Sequence, residues 1–182
     1  MSNKIISIEG VDGTGKTTLA KALAKINCGH YYHTPPKSMK SLIRSHVNSN
    51  EREQLHCFQL ANVVASEEMD MLLASRDVYI DRYFHTTQAY YGARLGIDIP
   101  LPKGVLVPDI SLYLFAEWSV IEERLGSRHE RASHENVDFL KRVALRYNKI
   151  FDKDIRVIRV DTSFRSAEEL IRGIVMRGPS KA

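Results

Sequence analysis

A chain of 182 residues is long enough to bury a core of its own and short enough for one domain, so neither a disulfide framework nor a metal staple is required. With 43% hydrophobic and 26% charged residues it stands apart from disordered and fibrous compositions, and two cysteines are too few for a secreted scaffold. The formal charge of +4 suits an anionic ligand but is too small to demand nucleic acid.

No run of about 18 apolar residues is present, so no membrane-spanning helix is expected. The first strand-like segment starts at Lys4 and leaves no room for a signal peptide, and Cys28 and Cys57 read as thiols of a reducing compartment. A cytoplasmic location is the expectation.

Ile5-Ile6-Ser7-Ile8 is a β-branched run that stops at Gly10 and reads as a buried strand. Leu19, Ala20, Leu23 and Ala24 then follow helical spacing from Lys16 to the breaker Asn27-Cys28-Gly29. Tyr31-Tyr32-His33 is a second strand, closed by Thr34-Pro35-Pro36 because proline cannot extend a sheet ladder. Ser41 to His46 is helical, and Ser49-Asn50 breaks it. Phe58, Ala61, Ala65, Met69 and Leu72, three or four residues apart, predict a long central helix. Val78-Tyr79-Ile80 is a third strand running into Asp81-Arg82-Tyr83, and Thr86 to Leu95 is helical.

After a loop with Pro100, Pro102 and Pro108, Ile110 to Phe115 forms the fourth strand and Val120 to Leu125 a helix. Residues 126–135 are polar, rich in Arg and His, and read as a short Arg-rich lid. Val137, Leu140, Val143, Tyr147 and Ile150 give a clear helical stripe, Ile155 to Val160 a fifth strand, and Ser166 with Glu169 a capping box for a last helix through Val175. The tail at Gly178-Pro179-Ser180 reads as frayed. Strands alternating with helices predict a single α/β domain over 1–182, a five-stranded parallel sheet with helices on both faces. Such sheets bind ligands outside the carboxyl ends of their strands, where Gly10 and Asp81 fall.

Gly10-Val11-Asp12-Gly13-Thr14-Gly15-Lys16-Thr17 satisfies the P-loop pattern between a predicted strand and a predicted helix. Its glycines let backbone N–H groups turn toward phosphate oxygens, and the helix start adds its positive end. Lys16 reaches the β- and γ-phosphates, and the Thr17 hydroxyl suits Mg²⁺. The bland reading, a Gly-rich turn, does not account for every fixed position. A base-reading N-K-x-D segment of GTPase switches is absent, since Asn148-Lys149-Ile150-Phe151 lacks its Asp, which leaves a small kinase as the residual class.

Three features support that class. Asp81-Arg82 directly follows a strand, where the carboxylate can serve Mg²⁺-bound water and the guanidinium an acceptor phosphate; the alternative is a surface ion pair. Arg124, Arg128 and Arg131 surround the lid, where arginines stabilise the charge of phosphoryl transfer or else simply solvate a helix end. Asp12 is a carboxylate among phosphates and points to an acceptor hydroxyl or Mg²⁺. His85, His129 and His134 lack metal-ligand spacing, and no aromatic–basic alternation suggests nucleic-acid binding.

These residues resemble the thymidylate kinase family. Ile8-Glu9-Gly10 through Thr17-Thr18 is similar to its opening motif, Asp81-Arg82-Tyr83 to its second signature, and Thr86-Thr87-Gln88-Ala89-Tyr90 to its acceptor-site helix. Pro108 to Leu114, Glu123-Arg124-Leu125, the group Glu135, Phe139, Arg142, Val143 and Tyr147, and Val160-Asp161-Thr162-Ser163 match it in order along the chain. The resemblance implies a P-loop kinase fold and phosphoryl transfer from ATP·Mg²⁺ to a nucleoside monophosphate, dTMP or a related deoxynucleotide. It places Gly10, Asp12, Gly13, Thr14, Gly15, Lys16, Thr17, Thr18, Arg124 and Asp161 with the nucleotides, and Thr17 and Asp81 with the metal. Catalysis would fall to Lys16, Asp81, Arg82, Arg128 and Arg131. A homodimer through the helix near Phe58 to Leu72 is implied as well.

The chain departs from the family at three points. His33-Thr34-Pro35-Pro36 replaces an Arg-Glu-Pro segment, leaving Lys37, Lys40 and Arg44 as the nearest cations. Asn62 and Val63 occupy the stretch of a base-reading arginine, and Tyr91 stands where a base-reading glutamine is usual. Phe58-Gln59 is similar to the base-reading pair of deoxynucleoside kinases, which makes a nucleoside hydroxyl the alternative acceptor. A non-catalytic nucleotide-dependent switch is the third reading.

Overall fold

The computed structural model describes residues 2–127 and 136–177. Five strands form one parallel sheet: β1 (Ile5–Glu9), β2 (His30–His33), β3 (Val78–Asp81), β4 (Ile110–Phe115) and β5 (Val157–Asp161), in the spatial order β2-β3-β1-β4-β5. The helices are α1 (Lys16–Ile26), α2 (Lys40–Ser45), α3 (Glu51–Leu73), α4 (Phe84–Leu95), α5 (Trp118–Gly126), α6 (Val137–Ile150) and α7 (Ala167–Arg177). The predicted five-stranded parallel sheet and every predicted strand and helix are present.

The two-residue period of the strands sorts their side chains into two cores. Ile6, Ile8, Leu112 and Leu114 share one face with Leu19, Ala20 and Leu23 of α1 and Leu170 of α7. On the other face Ile5, Val78 and Ile80 meet Ala65 and Met69 of α3, while Tyr113 meets Tyr90 of α4, Ile121 of α5 and Leu140, Val143 and Tyr147 of α6. Helices therefore cover both faces, as a parallel sheet requires. The register pairs Ile8 with Asp81 and Glu9 with Tyr113, which brings the carboxyl ends of β1 and β3 to one rim.

Boundaries moved where side chains cap the backbone. Asn50, read as a breaker, is the N-cap of α3 and accepts from the amides of Arg52 and Glu53. The last strand starts at Val157, not Ile155, because a turn closed by Val157 N to Asp154 O takes up Ile155, which is left 95% exposed. Ser166 and Glu169 form the expected capping box, with Ser166 N donating to Glu169 Oε2 at 2.8 Å and Glu169 N to Ser166 Oγ at 3.2 Å. Helix α5 continues to Gly126, so the first lid residue is helical; the rest of the lid except Ser127 lies outside the described residues, with Arg128 and Arg131, and so does the tail at 178–182.

Candidate functional site

The loop from Gly10 to Gly15 leaves the centre of the sheet and opens α1. Gly10 has φ +143°, and a Cβ there would lie 2.3 Å from the carbonyl oxygen of Leu114, so the loop passes β4 at a distance only glycine permits. Gly15 caps α1 in the left-handed conformation with no side-chain cap, and the first turn holds no acidic residue. The N–H groups of that turn and the helix dipole together make an anion seat. Thr14 is buried, its hydroxyl donating to Val11 O at 2.8 Å, whereas Thr17 and Thr18 lie on the outer side of the helix start.

Lys16 is 5% exposed, its Nζ donating to Val11 O at 2.7 Å and standing 3.8 Å from Asp12. Burial, with the Arg82 guanidinium beside it, pulls the ammonium down to about 7 against the opposing pull of Asp12, Asp81 and Glu9. An anion seated on the loop would restore its charge.

At the end of β3 the carboxylate of Asp81 is fully buried. Its Oδ2 accepts from Thr17 Oγ1 at 2.6 Å and Tyr31 OH at 3.2 Å and meets His33 Nδ1 at 3.2 Å. Burial alone would raise its carboxyl, but the hydrogen bonds from His33 and Thr17 and the nearby Lys16 hold it below the ordinary range. Oδ1 is buried with no hydrogen-bond partner among the described residues. One ionised carboxylate with an open oxygen beside a hydroxyl fits Mg²⁺, which takes few protein ligands and completes its shell with water and phosphate.

Arg82 has a left-handed backbone (φ +66°), uncommon for a residue with a side chain and frequent at functional sites. Its guanidinium pairs with Asp12 of the P-loop and lies 5.7 Å over the Tyr90 ring. Burial raises the Asp12 carboxyl, yet Arg82 and Lys16 outweigh it and keep the group ionised below its usual range. The backbone that aims Arg82 is held by Glu9, the last residue of β1. Glu9 is completely buried and accepts from Tyr83 N at 3.0 Å, Thr86 Oγ1 at 2.6 Å and Tyr147 OH at 3.1 Å.

Beyond Arg82 and Asp12 lies a cavity of about 630 Å³, walled by α3, α4, α2 and the β2 loop. Phe58, Asn62, Thr87, Tyr90, Tyr91 and Arg94 line it, together with His33 and Pro35. The sequence offered Lys37, Lys40 and Arg44 as substitute cations; all three are exposed and none lines the cavity, where Ile43 of α2 and His46 and Val47 just after it stand instead. Arg94, which no motif marked, does line it. Across the P-loop, Arg124 donates to Thr162 O at 2.7 Å and to Gly13 O at 3.4 Å, so it bridges the loop and the end of β5. Asp161 is exposed and accepts from Ser163 N and Oγ at 2.9 and 2.6 Å, which shapes the loop after β5.

A 2-3-1-4-5 parallel sheet with a P-loop between its central strand and first helix, opening onto a second cavity, defines a P-loop kinase. The family model for thymidylate kinase matches residues 8–174. The "Probable thymidylate kinase" of Methanocaldococcus jannaschii is 30% identical over 185 residues, spanning 96% of this chain and 95% of the relative. The thymidylate kinase of Baumannia cicadellinicola is 28% identical over 194 residues, 92% of each chain. Among solved structures, a thymidylate kinase from Candida albicans shares the fold with a TM-score of 0.81 at 21% identity, over 97% of this chain and 91% of that one. A deoxyadenosine kinase from M. mycoides shares it at 0.72 and 15% identity, over 97% and 100%. The chain belongs to the thymidylate kinase family and is a nucleoside monophosphate kinase.

Proposed function

We propose that this chain transfers the γ-phosphoryl group of ATP, with Mg²⁺, to the phosphate of dTMP or a related deoxynucleotide. The observation that carries the reading is the placement of Asp12 and Arg82 between the P-loop and a cavity large enough for a mononucleotide. The triphosphate would sit on the first-turn amides of α1 with Lys16 against its β- and γ-oxygens, and Arg124 would flank the base between the loop and β5. Thr17 and Asp81 would hold Mg²⁺, whose charge offsets that of the phosphates when bound. Arg82 would leave Asp12 to receive the acceptor phosphate, and the freed carboxylate would take an acceptor hydroxyl. An oxygen of the acceptor phosphate attacks the γ-phosphorus in line as the bond to the ADP oxygen breaks. That acceptor is already anionic near neutrality, so no general base is required. Arg128 and Arg131, from the sequence alone, would add positive charge to the transferring group.

The reading extends to a cytoplasmic homodimer. Free Cys28 and Cys57 support a reducing compartment, and no helix of the described residues is long and apolar enough to cross a membrane. Leu60 and Met71 stand exposed on one side of α3, at 49% and 70%, with the half-buried Val64 between them.

The test is ADP release with a panel of nucleosides and nucleoside monophosphates, with and without Mg²⁺. Turnover of monophosphates that stops on chelation is expected. Turnover of nucleosides alone would assign the deoxynucleoside kinase reaction instead, and acceptor-independent ATP use would indicate a switch.

A further inference from the structure

Strand β2 meets the end of β3 in a way that treats the two oxygens of Asp81 unequally. The register pairs His33 with Asp81 and Tyr31 with Tyr79, so Tyr31 and His33 stand on the same face of the sheet as Asp81. Their side chains converge on one atom. Asp81 Oδ2 meets Tyr31 OH and His33 Nδ1, each at 3.2 Å, as well as Thr17 Oγ1 at 2.6 Å. An ionised carboxylate only accepts, so both hydroxyls donate and the His33 ring carries its hydrogen on Nδ1. Three donors thus crowd an oxygen with two lone pairs, while Oδ1 of the same fully buried side chain has no hydrogen-bond partner among the described residues.

The crowding resolves if the donors have different duties. Thr17 lies in the first turn of α1 and shares the metal role proposed for Asp81, so its hydroxyl would leave Oδ2 on taking up a ligand position. Tyr31 and His33 would then remain, one donor for each lone pair. Both are anchored away from the P-loop. The Tyr31 ring packs against the core beneath α1, with Lys21 Nζ 5.4 Å from its centre. Just after His33, Thr34 N donates to Asp81 O at 3.3 Å and Thr34 Oγ1 to Arg82 O at 2.9 Å, which ties the end of β2 to β3.

We propose that Tyr31 and His33 are positioning residues that hold Asp81 by Oδ2 and so fix the rotation of its carboxylate, leaving Oδ1 for the cation. The inference rests on the reading of Thr17 and Asp81 as metal ligands. It also gives a duty to the start of His33-Thr34-Pro35-Pro36, where the chain departs from its family: this segment serves the metal carboxylate.

Metal binding tests this directly. Mn²⁺ is titrated into the full chain loaded with a non-hydrolysable imido analogue of ATP, and bound ion is read from the loss of the free-ion EPR signal. Tyr31→Phe and His33→Leu should each weaken Mn²⁺ binding about tenfold to a hundredfold, the range for groups that orient a metal ligand. Affinity for the analogue in EDTA should not change. His33→Asn, whose Nδ2 can stand in for Nδ1, should restore Mn²⁺ affinity, which a packing role would not allow. Tyr31→Phe removes a single oxygen and serves as the readout if His33→Leu fails to fold. Unchanged Mn²⁺ affinity in Tyr31→Phe and His33→Leu would overturn the inference, as would a His33→Asn chain as weak as His33→Leu. A matching loss of analogue affinity in EDTA would assign both residues to the shape of the P-loop and overturn it too. If the unmodified chain adds nothing to the Mn²⁺ held by the analogue alone, the metal reading of Thr17 and Asp81 falls, and this inference with it.

Discussion

Lys16 shows how a single residue can carry a condition-dependent charge. Folding draws its ammonium from 10.5 to about 7, by burial first and by Arg82 second. Between those values the unfolded chain binds more protons at this position than the folded one, so its contribution to stability rises with pH across that window and is lost as pH falls toward 7. A bound triphosphate reverses the preference, because its charge favours the ammonium. Calorimetric titration of ATP at pH 8 in buffers of different ionisation enthalpy should therefore show uptake of about one proton per site. Lys16→Met should abolish it along with tight binding, and identical heats in every buffer would refute the assignment. Asp12 and Arg82 teach a different lesson at this scale. Read singly they were two acceptor contacts; in the fold they first satisfy each other, so in the proposed reaction acceptor binding would be an exchange of partners.

At the scale of elements, the connection that matters is a buried carboxylate joining three of them. Glu9 ends β1, Thr86 belongs to α4 and Tyr147 to α6, and all three hydrogen-bond together while Tyr83 N closes the loop that holds Arg82. Burial and the adjacent Glu9 push the Tyr147 hydroxyl well above its ordinary range, so it remains a donor throughout the working pH range. Tyr147→Phe removes one donor from a charged, water-excluded acceptor and should lower the unfolding free energy by about 1–3 kcal/mol. Urea denaturation measures this directly, and an unchanged midpoint would show that the bond contributes nothing. Such links do not register in periodicity. Val137 to Ile150 reads as an amphipathic stripe whether or not Tyr147 meets a carboxylate 138 residues earlier. By contrast, the capping box at Ser166 was legible because both partners lie within one turn.

At the scale of the whole molecule, one face of α3 lines the cavity proposed for the acceptor and another carries exposed apolar residues. Leu60 and Met71 lie on that second face and extend along a helix of 23 residues. Burying that face against a second copy would place the acceptor cavities close to the interface and steady α3, which carries Phe58 and Asn62. Sedimentation equilibrium is expected to give twice the chain mass for the unmodified protein and the chain mass for Leu60→Asp. A monomer at every concentration would remove the dimer from the proposal.

The small positive surplus of this chain finds its place in the same view. Lys16, Arg82 and Arg124 gather around the P-loop, where the sequence had grouped them by motif. The sequence by itself determined the parallel α/β layout, the P-loop and the Asp81-Arg82 signature, because each depends on neighbours within a few residues. Only the tertiary structure decided which groups face the cavity. It joined Asn62 to Thr87, set Glu9 behind Arg82, turned Lys37, Lys40 and Arg44 outward and brought Arg94 in. Those outcomes depend on how helices from distant parts of the chain pack over the sheet, and hydrogen-bond partners at such separations leave no local pattern to read.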